Sequence, residues 1–395
     1  MTEVTPAKTH VVVVGAGYAG TLAANHLRQR PDIDITVVNP RPVFVERIRL
    51  HQLVADTGTA TADYATLLGA GIQLVVDAVE RIETAGRRVL LASGAELHYD
   101  YLIYAVGSTG ATASTVPGCA EFAHSVADLE SAQRLHYALI DLPLPAPITV
   151  VGGGLTGIET AAELAEGGRP VTLVCGPVLG PSLSKRGRRS VAKRLRRLGV
   201  DVLESVAVAE VRWDEVVLTD GVVLPSAATI WTAGFAVPDL AARSGLHTDP
   251  IGRLLTDETL TSIDDERVVA AGDAAAPSGR PLRMSCQAAG PMGAQAANTV
   301  LARITGDTPA ALSQAFVGQC ISLGRTHATV QFSRTDDTPV NLFLGGRPAA
   351  SLKEAICKGT LWAIRREAAK PGSYLWLKGG NRPAQAPADE QVASR

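Results

Sequence analysis

Apolar residues in this chain gather into short unbroken runs, several of which meet a glycine at once. Val11-Val12-Val13-Val14 is a continuous β-branched run, the pattern of a parallel strand buried on both faces. It passes into Gly15-Ala16-Gly17-Tyr18-Ala19-Gly20, then a helical stretch over 21–30, then a strand over 33–38 that ends at Asn39. The same grammar returns at Ile148-Thr149-Val150-Val151, with Gly152-Gly153-Gly154-Leu155-Thr156-Gly157, a helical run over 158–166 and a strand over 170–175. Strand, glycine turn, helix and strand in that order make one mononucleotide-binding unit. Two such units predict two nucleotide sites.

Later runs complete the pattern. Three more strands end in glycine turns: 101–106 at Gly107, 229–232 at Gly234, and 268–271 at Gly272 with Asp273 at its tip. The uncharged stretch 221–238 is broken by Pro225, Ser226, Thr229, Thr232 and Gly234, which predicts two short buried strands rather than a membrane-spanning helix. From about 310 the pattern changes to strand-like pieces, then an amphipathic helix over 352–367. The fold class expected is α/β, two Rossmann-like dinucleotide-binding domains followed by a smaller C-terminal α+β domain. The boundaries are 1–112 and 240–309 for the first domain, 113–239 for the second and 310–380 for the third. Residues 381–395 lack an apolar face and read as a disordered tail.

Composition narrows the partners. The 37 basic and 39 acidic side chains leave a formal charge of −2, which argues against nucleic acid as a partner. The eight cations between Lys185 and Arg197 read as a solvated helix face. Five cysteines, an odd number without a CxxC pair, fit a reducing compartment and neither a disulfide framework nor a dithiol relay. Residues 1–10 carry no signal-peptide core, so a cytoplasmic location is expected. No metal site is expected.

The glycine turns carry the chemistry. In G-x-G-x-x-G the first glycine makes the tight turn, the second lets the diphosphate approach the backbone, and the third lets helix and sheet close up. Helix-start N–H groups then face the phosphate oxygens. An acid at the tip of the second strand would bind the adenosine ribose and repel a 2′-phosphate. The two positions here are Asn39 and Cys175. Asn39 can still hydrogen-bond a ribose, and the choice between NADH and NADPH stays open.

With these segments in place, the chain resembles the FAD-dependent pyridine nucleotide oxidoreductases, in the type II NADH dehydrogenase and apoptosis-inducing-factor-like branch. The resemblance rests on VVVVGAGYAG (11–20), YDYLIYAVGS (99–108), ITVVGGGLTGIETAAELAE (148–166), ATIWTAG (228–234) and VVAAGDAAAP (268–277). It implies FAD on Gly15, Gly17 and Gly20, with Gly107, Gly272 and Asp273 beside it and Asn39 at the ribose. It implies the nicotinamide cofactor on Gly152, Gly154 and Gly157, with Glu159 near the nicotinamide end. Gln287 resembles a family glutamine on the quinone side of the flavin, and Cys286 takes the preceding alanine's place and is expected to be an inert buried thiol. Nothing in the spacing of Cys320 and Cys357 brings them to Cys286. Residues 44–53 resemble a loop lining the flavin and its substrate channel, with Gln52 or His51 facing the flavin.

The implied reaction passes hydride from NADH or NADPH to FAD and then two electrons to a quinone or other small acceptor. A ferredoxin or rubredoxin reductase, or a redox-sensing flavoprotein of low turnover, stand as alternatives. Peripheral contact with the inner face of the membrane through the 352–367 helix, and a homodimer, are left open.

Overall fold

The computed structural model describes residues 8–111 and 115–380. The tail expected at 381–395 and the boundary expected at 112/113 lie outside the described residues. Five parallel strands form the first sheet, in the order Val268–Ala270, Tyr101–Tyr104, Thr9–Val14, Ile33–Asn39, Ile72–Val76. The valine run at its centre is at most 3% exposed, as a strand covered on both faces must be. Helices Tyr18–Leu27 and Cys286–Thr305 pack against each other here. Their closeness depends on Gly293, where a Cβ would stand 2.3 Å from the Ala19 carbonyl oxygen.

The second sheet repeats this plan, in the order Ala123–Ser125, Ala228–Trp231, Ile148–Val151, Val171–Val174, Asp201–Leu203, again all parallel. In each sheet the glycine turn follows the central strand, where the strand order reverses. Ligands of open α/β sheets sit at that switch point. A three-stranded antiparallel sheet (Gly318–Ser322, Ala328–Ser333, Pro339–Gly345) and the helix Gly346–Ala369 complete the chain as a small α+β unit.

Three expectations need correction. The first helices begin at Tyr18 and Leu155, three residues early, because the third glycine of each turn is already helical. Of the two strands expected in 221–238, only Ala228–Trp231 is buried. Val223–Pro225 is the solvent-facing edge of an antiparallel sheet with Val208–Val211 and Glu215–Leu218. The C-terminal helix is longer than expected. Its buried face is Ala349, Lys353, Cys357, Leu361, Ile364 and Glu367, whereas Leu352, Ile356 and Trp362 are exposed. Two charged residues can lie inward because each has a buried partner: Glu159 for Lys353 and His26 for Glu367. Among the described residues no helix is long and apolar enough to cross a membrane.

Candidate functional site: two phosphate cradles on one cavity

The two glycine turns are superposable in their logic. Gly15 has φ +96° and Gly152 φ +123°, conformations that side chains disfavour. A Cβ on Gly20 would stand 1.9 Å from the Gly15 carbonyl oxygen, and one on Gly157 1.9 Å from that of Gly152. Gly17 and Gly154 behave differently. Each precedes the first helical residue in extended backbone, and a Cβ there would meet no atom within 4 Å. The first and third glycines are therefore required by the protein itself. The second keeps clear the space in front of the helix N-terminus, where a diphosphate would lie.

Gly17 and Gly154 both line one cavity of about 1230 Å³. Gly107, Gly272, Asp273, Glu159 and Gln287 line it too. Asp273 accepts from the Ser108 hydroxyl at 2.7 Å, and Arg47 donates to that same hydroxyl at 2.7 Å while standing 3.6 Å from the carboxylate. Ser285 caps the helix Cys286–Thr305, whose first residues face the cavity, so its N–H groups favour negative charge there. With its amide oriented to satisfy both neighbours, Gln287 donates to the Gly318 carbonyl at 2.9 Å and accepts from Val317 N–H at 3.1 Å. That ties the helix start to the C-terminal sheet.

Two expected residues lie elsewhere. Asn39 does not line this cavity; its amide accepts from Ala16 N–H at 3.1 Å and donates to the Arg41 carbonyl at 2.8 Å. It braces the first glycine turn. Gln52 lines a separate cavity of about 540 Å³ with Arg49, Arg325 and Arg365, and accepts from Arg49 at 3.2 Å. Its neighbour His51 is the one that reaches the large cavity, since successive residues of the short helix Leu50–Val54 point about 100° apart. Conversely, the fold brings Cys286, Cys320 and Cys357 to the same cavity wall although their spacing gave no sign of it. Burial pushes the Cys286 thiol up to about 11 and Cys320 up to about 12, and raises Cys357 as well. They are protonated and poor nucleophiles near neutrality.

Sequence reasoning missed the strongest electrostatic feature of the site. The Glu159 carboxylate receives the Lys353 ammonium and accepts from Ser322 N–H at 2.8 Å, while Lys353 also donates to the Ser322 hydroxyl at 2.7 Å. Burial disfavours both charges, but the pair's mutual attraction prevails: Glu159 titrates below the usual carboxylate range and Lys353 above the usual ammonium range. His51 stands 3.8 Å from Glu159, with Nε2 buried and no hydrogen-bond partner among the described residues. Only the i, i+4 spacing of Lys353 with the inward Cys357 could have hinted at this.

Burial, against the pull of Glu159 and with help from Lys353, lowers His51 to about 4. The imidazole is accordingly neutral at pH 7. A depressed histidine pKa favours the folded state fully above the unfolded value, near 6.5, and loses that contribution as pH falls toward 4. Imidazole NMR on the folded protein should show His51 still uncharged at pH 5. In His51→Gln, about 3 kcal/mol of the wild type's stability loss between pH 6.5 and 4 should be absent, as measured by denaturant unfolding.

Two helix-capped phosphate cradles that open on a shared cavity define an oxidoreductase of the two-dinucleotide class. Residues 9–298 match the pyridine nucleotide-disulphide oxidoreductase family, and the chain belongs to it. An NADH dehydrogenase-like protein of Mycobacterium tuberculosis is 32% identical over 378 residues, covering 88% of this chain and 93% of that protein. The type II NADH:quinone oxidoreductase Ndh of the same organism is 28% identical over 351 residues, with 77% and 75% covered. Among solved structures, the sulfide:quinone oxidoreductase from Aquifex aeolicus superposes with TM-score 0.79 at 21% identity, covering 92% of this chain and 93% of that one. The family's name includes a disulphide, yet all five cysteines here are free. This is an NAD(P)H-dependent flavin oxidoreductase.

Proposed function

We propose that the chain oxidises NADH or NADPH through FAD and passes the two electrons to a quinone-like acceptor. The observation that carries this reading is that Gly17 and Gly154, the two glycines kept clear for phosphates, line a single cavity. In the proposed arrangement the first cradle holds FAD, with Ser108 and Asp273 beside its diphosphate, and the second holds the nicotinamide donor. Bound FAD would supply the hydride-accepting and electron-donating chemistry.

The protein's own contributions are placement and charge. The cradles would hold both diphosphates on the cavity that Gly17 and Gly154 share. The amide end of the Cys286–Thr305 helix favours negative charge on that side. The Glu159–Lys353 pair keeps a carboxylate and an ammonium at the cavity wall, where either can hold a proton or orient a polar group of the acceptor.

A quinone suits the rest of the wall. Leu352, Ile356, Leu375 and Leu377 line the cavity while remaining solvent-exposed, so its mouth is apolar. Trp362 lies on the same helix, 59% exposed, with Arg366 stacked on its ring. An apolar rim with a tryptophan and cations suits a peripheral contact with a bilayer, the source of a lipophilic acceptor. Steady-state turnover tests the acceptor class. Menadione should support rapid oxidation of the donor, and ferredoxin little. A rate much higher with ferredoxin would overturn the quinone reading in favour of a ferredoxin reductase.

A further inference from the structure

The second cradle lacks an acid at its strand tip, yet the fold brings one there from the neighbouring strand. We propose that Glu204 is the residue that makes the nicotinamide donor NADH rather than NADPH; this rests on the second cradle being the donor site. Cys175, at the tip of Val171–Val174, is 6% exposed, with its thiol turned back to the Leu173 carbonyl at 3.8 Å. It offers nothing to a ribose. Residues 176–184, which follow it, contain no charged side chain.

Strand Asp201–Leu203 lies parallel to Val171–Val174, with Val174 opposite Leu203, so Glu204 emerges in register beside Cys175. Its Oε1 accepts from Leu179 N–H at 2.7 Å. Ser205 N–H donates to the Gly176 carbonyl at 2.7 Å, and Gly180 N–H donates to the Gly153 carbonyl at 2.7 Å. These three bonds fold 176–180 into a loop running from the strand tip back onto the glycine turn, with the carboxylate anchored on it. The adenosine ribose of a Rossmann ligand sits at that strand tip, beside that turn. Glu204 is exposed and forms no ion pair among the described residues, so its charge is free to act on a ligand. The cations of helix Lys185–Arg197 begin only after the loop ends; Arg194, within it, is paired with Glu166.

A carboxylate in this position accepts hydrogen bonds from the ribose hydroxyls and repels a 2′-phosphate. At a few ångströms, two like charges near a surface are worth at least about tenfold in affinity. Glu204→Gln separates charge from structure, because the amide oxygen can still accept from Leu179 N–H.

Equilibrium binding of ADP-ribose and of its 2′-phosphate to the FAD-loaded protein is the test. The wild type should bind ADP-ribose about tenfold or more tightly than the 2′-phosphate, and Glu204→Gln should narrow that ratio by about tenfold, chiefly by admitting the phosphate. The ratio of flavin bleaching rates with limiting NADH and NADPH should move in parallel. A wild type that favours the 2′-phosphate, or a ratio unchanged in Glu204→Gln, overturns the role of Glu204 and leaves the donor site intact. Failure to bind either ligand overturns the donor site itself.

Discussion

Gly154→Val should retain FAD and lose reduction by the nicotinamide donor. Gly154 is in extended backbone, φ −75° and ψ −179°, which valine adopts without strain, and an added Cβ meets no protein atom within 4 Å. The substitution therefore leaves the fold alone and fills only the space meant for a diphosphate. Losing two charge-assisted hydrogen bonds, at about 1.5–3 kcal/mol each, weakens donor binding by about a hundredfold or more. Stopped-flow flavin reduction at limiting NADH reads this directly, and an unchanged rate would remove the donor from this cradle. The neighbouring glycines are poor probes by comparison. Valine at Gly152 meets positive φ and the Thr232 hydroxyl at 2.5 Å, and valine at Gly157 drives into the Gly152 carbonyl.

Lys353→Met should cost about 3–5 kcal/mol of stability, because it leaves the Glu159 carboxylate, only 12% exposed at the cavity wall, without its counterion. The double variant Glu159→Gln/Lys353→Met should recover most of that loss, since no buried charge then lacks its counterpart. The sign with pH follows from the two shifts. The lowered carboxyl stabilises the fold above the ordinary carboxylate range and loses this as pH falls through its folded value. The raised ammonium stabilises it below the ordinary lysine range and loses this only as pH rises through its folded value. Removing Lys353 also lets the Glu159 carboxyl and the neighbouring His51 titrate higher. The difference between wild type and Lys353→Met should therefore be flat only well above both, as followed by urea unfolding from pH 8 to 9. It should shrink as pH falls and the stranded carboxylate takes up a proton. A loss under about 1 kcal/mol would mean that the pair is solvated and not the buried clamp described here.

The parts of this molecule that could be read from sequence are those where one local requirement dictates the residue. A strand buried on both faces needs Val11 to Val14, and a tight turn needs Gly15 and Gly152. The sheets and cradles followed from these. For the C-terminal helix, periodicity reported an apolar stripe and not whether it faces the protein or solvent. Leu352, Ile356 and Trp362 form that stripe and are exposed, while Lys353 and Glu367 hold the inward face through partners 194 and 341 residues away in the chain. Such pairings leave no local trace. The same holds for the three cysteines gathered on one wall and for Glu204 arriving beside Cys175 from the next strand. Asn39 is a different case: its chemistry allows a ribose contact, and only the structure shows its amide also bracing the glycine turn through Ala16 and Arg41.

Anaerobic titration of the purified protein with NADH, followed by visible absorbance, reaches the core of the account. It should reveal a bound flavin that one equivalent of donor bleaches and that menadione restores. A colourless protein that takes up no FAD when supplied, or a flavin that neither NADH nor NADPH reduces, would contradict it.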